Sequence, residues 1–343
     1  MYTSLKTISA KIVTTPFQGL IDIGLSEASI LDKTKISHAS IHKHKGRISY
    51  ESHLLLLELA RQNGISNGNE SLWNFSLENA ISDFGELFST CINCATAREG
   101  ISLFLQYRGI IGESDTILLT ENTHSSMLTY MNEVITPHSS YEALANFIII
   151  KSIIQFYNPD TPVVMDIYLL GQPSFDKDRC LSIFKGHFFI NENINKAIFD
   201  KELLDKRSRQ YNPLLTPFLL ERLNTEFLTN SDYQKQTYCK VKSLVKSAIS
   251  EHGFDNLTIN DISTRMHISR WTLNRKLDRE GSNYQAVIRE IKKEEAVKYI
   301  LYESKPIGEI SDLLGFTSQT TFTRFFFRNF GVTPSQFRDA ALL

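Results

Sequence analysis

Residues 307–338 read IGEISDLLGFTSQTTFTRFFFRNFGVTPSQFR, and residues 259–279 read INDISTRMHISRWTLNRKLDR. The two segments are one pattern written twice. Ile259, Ile262, Met266 and Ile268 return 48 residues later as Ile307, Ile310, Leu314 and Phe316. Ser269, Leu273, Arg275 and Leu277 return 49 residues later as Ser318, Phe322, Arg324 and Phe326. Each copy places apolar residues on one face of a short helix, then a tight turn, a Ser, and a second helix with Arg on one face. That is a helix-turn-helix in duplicate, and a duplicated reading head points to double-stranded DNA as the partner.

Local start and stop signals agree with the repeat. Val241, Leu244, Val245, Ala248 and Ile249 share one helical face, and His252-Gly253 ends it. Thr258 is placed to cap the next helix, with Asp261 in its first turn. Ser269 and Ser318 are placed to cap the two second helices, and Thr333-Pro334-Ser335-Gln336 combines a cap, Pro at the first helical position and Gln at the capping-box position. Between the copies, Tyr284–Glu303 carries Val287, Ile291, Val297 and Ile300 on one face. A helix of that length spans about 30 Å, close to the ~34 Å of one DNA turn. It would hold the two heads in successive major-groove segments.

A recognition helix must pack one face and show polar side chains to base edges on the other. In the first, Leu273 and Leu277 mark the packed stripe and leave Trp271, Asn274, Arg275 and Lys276 for the groove. In the second, Phe322, Phe325 and Phe326 turn inward and leave Gln319, Thr320, Thr323 and Arg324. Arg pairs with guanine through two hydrogen bonds, and Asn or Gln does so with adenine. Arg270 and Arg328 fall where phosphate contact is expected. A single such pattern is often no more than two packed helices; two copies with matched Ser, Arg and apolar positions outweigh that reading.

From about Leu244 to Arg338 these residues resemble the AraC/XylS family of bacterial transcription regulators. Ile307–Arg338 carries the most specific part: Ser311 before the hydrophobic pair, Gly315-Phe316 in the turn, Phe325 and Phe326, Gly331, Pro334, and a final Phe337-Arg338. Phe327 departs from the pattern, which commonly has a polar or basic residue there. The resemblance implies promoter-proximal DNA binding, usually activation through RNA polymerase, with Trp271, Asn274, Arg275, Gln319, Thr320, Thr323 and Arg324 facing DNA. Over Leu181–Leu215, with HFFINENINKAIF and the later Pro-Leu-Leu, the N-terminal part is similar to the arabinose-binding-type sensor domain of the same family. That implies a domain that senses a small molecule, forms a homodimer, or both; it does not specify arabinose.

The chain is 343 residues long, which favours two domains over one core. Of its 37 Lys and Arg and 38 Asp and Glu, residues 240–343 hold 16 and 12, and residues 1–239 hold 21 and 26. A mildly basic tail on an acidic body suits a protein whose tail alone meets a polyanion. We expect an α+β chain: a mixed α/β sensor or dimerisation domain over 1–228, a linker over 229–236, and an all-α domain over 237–343. No stretch reaches the ~20 apolar residues of a membrane helix, no secretory signal is apparent, and the four Cys suggest no disulfide framework. The expected location is the cytoplasm.

Within the first domain the pattern gives helices over 50–63, around Ile81, Phe84 and Phe88, over 101–107 and from Ser140 to about Tyr157. A buried strand is expected at Thr116–Thr120, another at Val163–Leu169, a hairpin of Leu181–Phe184 with His187–Ile190 across Lys185-Gly186, and a helix from Leu214 to Leu228. The Ser140 and Leu214 helices have apolar faces that serve either a subunit interface or the core. No catalytic constellation, metal site or cofactor motif emerges. Cys91-x-x-Cys94 lacks a second pair and reads as buried small residues; His42 and His44 sit in a basic run; His124 and His138 stand alone; Asp176 and Asp178 read as loop surface. The rivals to a regulator are a ligand- or partner-binding protein with a masked DNA-binding domain, and an enzyme fused to a DNA-binding tail.

Overall fold

A computed structural model describes residues 6–42, 46–64, 75–132, 136, 138–171, 176–230, 236–254, 257–279, 282–301, 305–330 and 332–342. The chain divides into two units, residues 1–230 and 231–343. Of the expected linker, residues 231–235 lie outside the described residues, as do His44 and Gly331.

The first unit opens with β1 (Thr7–Ser9), α1 (Ala10–Asp22), α2 (Glu27–Thr34), α3 (His38–Ile41), β2 (Arg47–Ser49) and α4 (Tyr50–Gln62). The hydroxyls of Ser9, Ser26, Ser37 and Ser49 each accept a backbone N–H in the first turn of the helix that follows. Val13, Phe17 and Leu20 repeat every three or four residues along α1 and meet Ile30, Ile36 and Leu56 in a small apolar core. β1 and β2 pair antiparallel beneath it.

Then come α5 (Leu77–Asp83), α6 (Gly85–Ile92), α7 (Ala97–Tyr107) and a single 3-10 turn at Arg108–Ile110. The expected stripe through Ile81, Phe84 and Phe88 is two helices, because Phe84 leaves helical geometry with φ −131° and ψ 57°. β3 (Asp115–Glu121), β4 (Ser125–Asn132), α8 (Ser139–Tyr157), β5 (Met165–Leu170), α9 (Lys177–Phe184), β6 (Lys185–Glu192) and β7 (Asn195–Asp200) follow. The sheet runs β3-β4-β7-β5-β6, with β5 and β6 parallel and the other neighbours antiparallel. α8 lies between this sheet and α5, α6 and α7. Leu144, Phe147, Ile150, Ile153 and Ile154 are all fully buried there, which explains a helix apolar nearly all round. α10 (Glu202–Asp205) and α11 (Thr216–Asn230) complete the unit.

Two strand expectations need correction. Thr116–Thr120 forms part of β3, but β3 is an edge strand and only Ile117 in it is buried. The Leu181–Ile190 hairpin does not form: Leu181–Phe184 belongs to α9, and β6 pairs parallel with β5. Lys185 caps α9 in the left-handed region, with φ 59°, and so switches helix to strand where a hairpin turn was expected.

The second unit is helical throughout its described residues: α12 (Gln236–His252), α13 (Ile259–Arg265), α14 (Arg270–Arg279), α15 (Tyr284–Leu301), α16 (Ile307–Leu313), α17 (Gln319–Phe330) and α18 (Pro334–Leu342). Val241, Val245, Ile262, Leu273, Leu277, Val287 and Ile291 close one core. In the other copy Ile310, Leu314, Phe322, Phe326 and Phe337 are buried, with the Phe326 ring 5.4 Å from that of Phe337. Burying each such side chain contributes about 1.5–3 kcal/mol against exposure. The chain is therefore α+β in its first unit and all-α in its second.

Candidate nucleic-acid interface

The two copies match in their turn closures and second-helix caps and differ at the first helix, which Thr258 caps in one copy and which begins at Pro306 without a side-chain cap in the other. In the first, the Thr258 hydroxyl accepts the Asp261 N–H, and the Asp261 carboxylate accepts the Thr258 N–H at 2.8 Å. The Thr258 hydroxyl and backbone hold the Asp261 carboxyl below the usual range. α13 ends in a turn closed by the Ile268 N–H donating to the Ser263 carbonyl at 3.1 Å. In the second copy Phe316 N–H donates to the Ser311 carbonyl at 3.0 Å. The pivot of that turn is left-handed in both, at His267 (φ 54°) and Gly315 (φ 63°). Ser269 then accepts the Thr272 N–H at 3.1 Å, and Ser318 accepts the Thr321 N–H at 3.2 Å. In both copies the cap hydroxyl also lies 2.9 Å from the Thr hydroxyl three residues on. Thr333 and Gln336 form the expected reciprocal cap of α18.

These turns and caps decide which side chains α14 and α17 show outward. Leu273 and Leu277 are fully buried, and Arg270, Trp271, Arg275 and Lys276 are exposed, with Asn274 half-buried. The Arg275 guanidinium lies 4.5 Å over the Trp271 ring, and Trp271 is 66% exposed. On α17, Phe322 and Phe326 are buried and Phe325 is half-buried, 5.0 Å from the Phe316 ring. Gln319, Thr320, Arg324 and Arg328 are exposed and Thr323 is half-buried. Phe327, the departure from the family pattern, stays 53% exposed. Between the heads α15 runs 18 residues, about 27 Å at 1.5 Å per residue. Glu294 on α15 accepts from Lys242 of α12 at 2.7 Å and forms an ion pair with Lys246 of the same helix at 2.6 Å. Burial alone would raise the Glu294 carboxyl, but the two ammonium groups hold it below the ordinary range.

The remaining sequence candidates separate into structural roles. Cys91 and Cys94 are buried; the Cys94 thiol donates to the Thr90 carbonyl at 3.3 Å, and burial pushes it up to about 11. A thiol held that way is protonated and unreactive. Asp176 caps α9 by accepting the Arg179 N–H at 3.0 Å, and Asp178 lies in that helix's first turn. The expectation of a plain loop surface there is corrected. The His42 ring sits 4.1 Å from that of His38. His138 is buried, with Nε2 3.7 Å from a Glu58 carboxylate oxygen.

One cluster was not legible in the sequence. Glu142 on α8 accepts from the Tyr50 hydroxyl of α4 at 3.0 Å and from Asn132 Nδ2 of β4 at 2.6 Å. Tyr130 donates to Asp115 at 2.6 Å; Arg108 pairs with the same carboxylate and donates to Asn146 at 2.9 Å. Burial, reinforced by the Asp115 charge, pushes the Glu142 carboxyl up to about 8. Burial pushes the His53 imidazole, 3.9 Å from Glu142, down to about 4. These groups tie the N-terminal helices to the sheet layer. Elsewhere in the unit an open cleft of about 410 Å³ is lined by Leu77, Ile81, Ile92, Lys151 and Phe156.

A packed pair of short helices, a left-handed turn and a capped second helix with an exposed polar face define the C-terminal unit as a helix-turn-helix domain, and the helix-turn-helix domain family matches residues 262–340. It is a domain of the AraC type, shared with relatives named as transcriptional regulators and activators. The DNA-binding dual transcriptional regulator Rns of Escherichia coli is 26% identical over 180 residues, which cover 51% of this chain and 64% of Rns. The transcriptional activator FapR of Escherichia coli is 34% identical over 88 residues, covering 24% of this chain and 34% of FapR. The chain thus matches less than two thirds of the length of these curated relatives. Among solved structures, the transcriptional regulator CdpR of Pseudomonas aeruginosa aligns over 94% of this chain and 97% of its own, at 16% identity and a TM-score of 0.38. Among the described residues, no helix is long and apolar enough to cross a membrane.

Proposed function

We propose that this chain is a sequence-specific DNA-binding regulator of transcription, acting as an activator through RNA polymerase. The observation that carries the reading is the duplicated head, with matched caps, turn closures and exposed polar faces. Trp271, Asn274, Arg275 and Lys276 meet base edges from the first recognition helix, and Gln319, Thr320, Thr323 and Arg324 from the second. Arg270 and Arg328 hold phosphates, so affinity is salt-dependent while sequence choice is local to the two helices. Residues 1–228 form the sensor or dimerisation domain, 229–236 the linker and 237–343 the DNA-reading domain. The first domain answers a small effector, or pairs two copies of the chain, or does both. Such a regulator works in the cytoplasm and catalyses no reaction.

The test is footprinting of the full chain on genomic fragments that it retains from its own cell. Protection over two successive major-groove segments supports the reading. If only residues 237–343 protect DNA, with the full chain silent in metabolite extracts as well, the masked-domain alternative takes its place.

A further inference from the structure

We infer that Lys292 fixes the spacing between the two reading heads, as a positioning residue for sequence choice; this rests on the DNA-reading proposal above. Its ammonium group lies 4.2 Å from the centre of the Phe316 ring and 5.3 Å from that of Phe254. It also donates to the Gly315 carbonyl at 3.3 Å. Gly315 and Phe316 form the turn of the second head, and Phe254 follows α12 in the first. One cation on the connecting helix therefore touches both.

The internal repeat shows what is unusual about this residue. An offset of 48 places Leu244 where Lys292 stands and Ile268 where Phe316 stands. In the first head Leu244 and Ile268 both pack against one apolar core, so both positions are filled by ordinary hydrophobic side chains. In the second head the same place holds a charge. A half-buried ammonium is worse than Leu for packing alone, because it keeps a desolvation cost. It gains by lying on the negative faces of two rings and against a carbonyl oxygen. Leu could not supply the reach from Phe316 across to Phe254. Two residues along, Glu294 fastens α15 to α12 through Lys242 and Lys246. The helix is thus anchored in the first head, and Lys292 carries that anchor to the turn of the second. One base-pair step is about 3.4 Å along the duplex, so a second head free to swing by that much would accept neighbouring spacings.

The experiment uses the full chain and duplexes carrying its selected site, with one base pair added or removed between the two halves. Wild type should prefer the native spacing by about tenfold or more, the equivalent of ~1.4 kcal/mol. In Lys292→Met the preference should fall to about threefold or less, with binding to the native site largely kept. Lys292→Arg, which retains a cation able to stack, should keep the preference. Phe254→Leu, which keeps an apolar group and removes only the ring facing Lys292, should flatten it as Met does. A Met variant as selective for spacing as wild type overturns the inference. So does an equal loss at every spacing, which would make Lys292 a phosphate contact. Wild type binding no duplex at all would remove the DNA-reading proposal itself, a result distinct from either.

Discussion

Replacing Gly315 by Ala puts a side chain on a residue whose φ is 63°, while replacing His267 by Gly takes one away at φ 54° in the equivalent turn. An L-residue in the left-handed region costs roughly 1–2 kcal/mol. Ala also stiffens the unfolded chain relative to Gly, which returns about 0.4–1 kcal/mol. The net effect of Gly315→Ala is a loss of about 1 kcal/mol, and His267→Gly should gain from a few tenths to about 1 kcal/mol by the same terms reversed. Gly315→Glu should lose at least as much as Ala. In a unit of this size a 1 kcal/mol change moves the melting midpoint by about 4 °C. Thermal unfolding followed by circular dichroism reads the shift, and hydrogen exchange at the Phe316 and Ile268 amides, which close the two turns, assigns it. Opposite shifts in the two variants are expected. If Gly315→Ala melts within a degree of wild type and His267→Gly gains nothing, the turn is not held by backbone conformation and the argument fails.

Arg324→Ala should cost about 1–3 kcal/mol at the selected site and relax base preference in one half of it; competition binding to single-base variants measures both, and an equal loss on all sequences would reassign Arg324 to a phosphate. Arg328→Ala should weaken all duplexes alike and lower the slope of log affinity against log salt by about one; a sequence-dependent loss would contradict its phosphate role. The buried seam predicts a pH effect on the stability of the first unit. Glu142, raised to about 8, stays protonated in the fold while the unfolded chain ionises, so its stabilisation is full below about pH 4.5 and is lost as pH rises through 8. His53, lowered to about 4, and His138, also lowered by burial, act in the opposite sense, and their stabilisation is full above about pH 6.5. Between pH 6.5 and 8 the Glu142 loss should be as much as ~2 kcal/mol, and Glu142→Gln should flatten it; urea titrations that give both proteins the same change in unfolding free energy between the two pH values would count against the seam.

The C-terminal unit was legible because its signals are local. Thr258, Ser269, Ser318 and Thr333 each cap within three residues of themselves, and the buried stripes repeat along single helices. The first unit hides its logic in contacts between distant segments. Lys185-Gly186 looks like a hairpin turn, yet β6 takes its partner from β5 across a helix, and no pattern within 181–190 encodes that. TILLT reads as a strand on composition, but whether a strand lies at an edge depends on pairings that composition does not carry. β4 went unread because the Asn122 side chain makes its turn, accepting from the His124 and Ser125 N–H groups, where no Gly or Pro marks one. The Glu142 seam assembles α4, β3, β4, α8 and the Arg108 turn, so its members are ordinary until the fold brings them together.

The central claim is that two heads on one chain read two adjacent groove segments. Selection of bound sequences from random duplex DNA by the full-length protein, beside an Arg275→Ala/Arg324→Ala double variant, tests it most directly. The account predicts a motif in two parts about ten base pairs apart, degraded in both parts by the double variant. A motif confined to one groove segment, or one left intact in the variant, would contradict it.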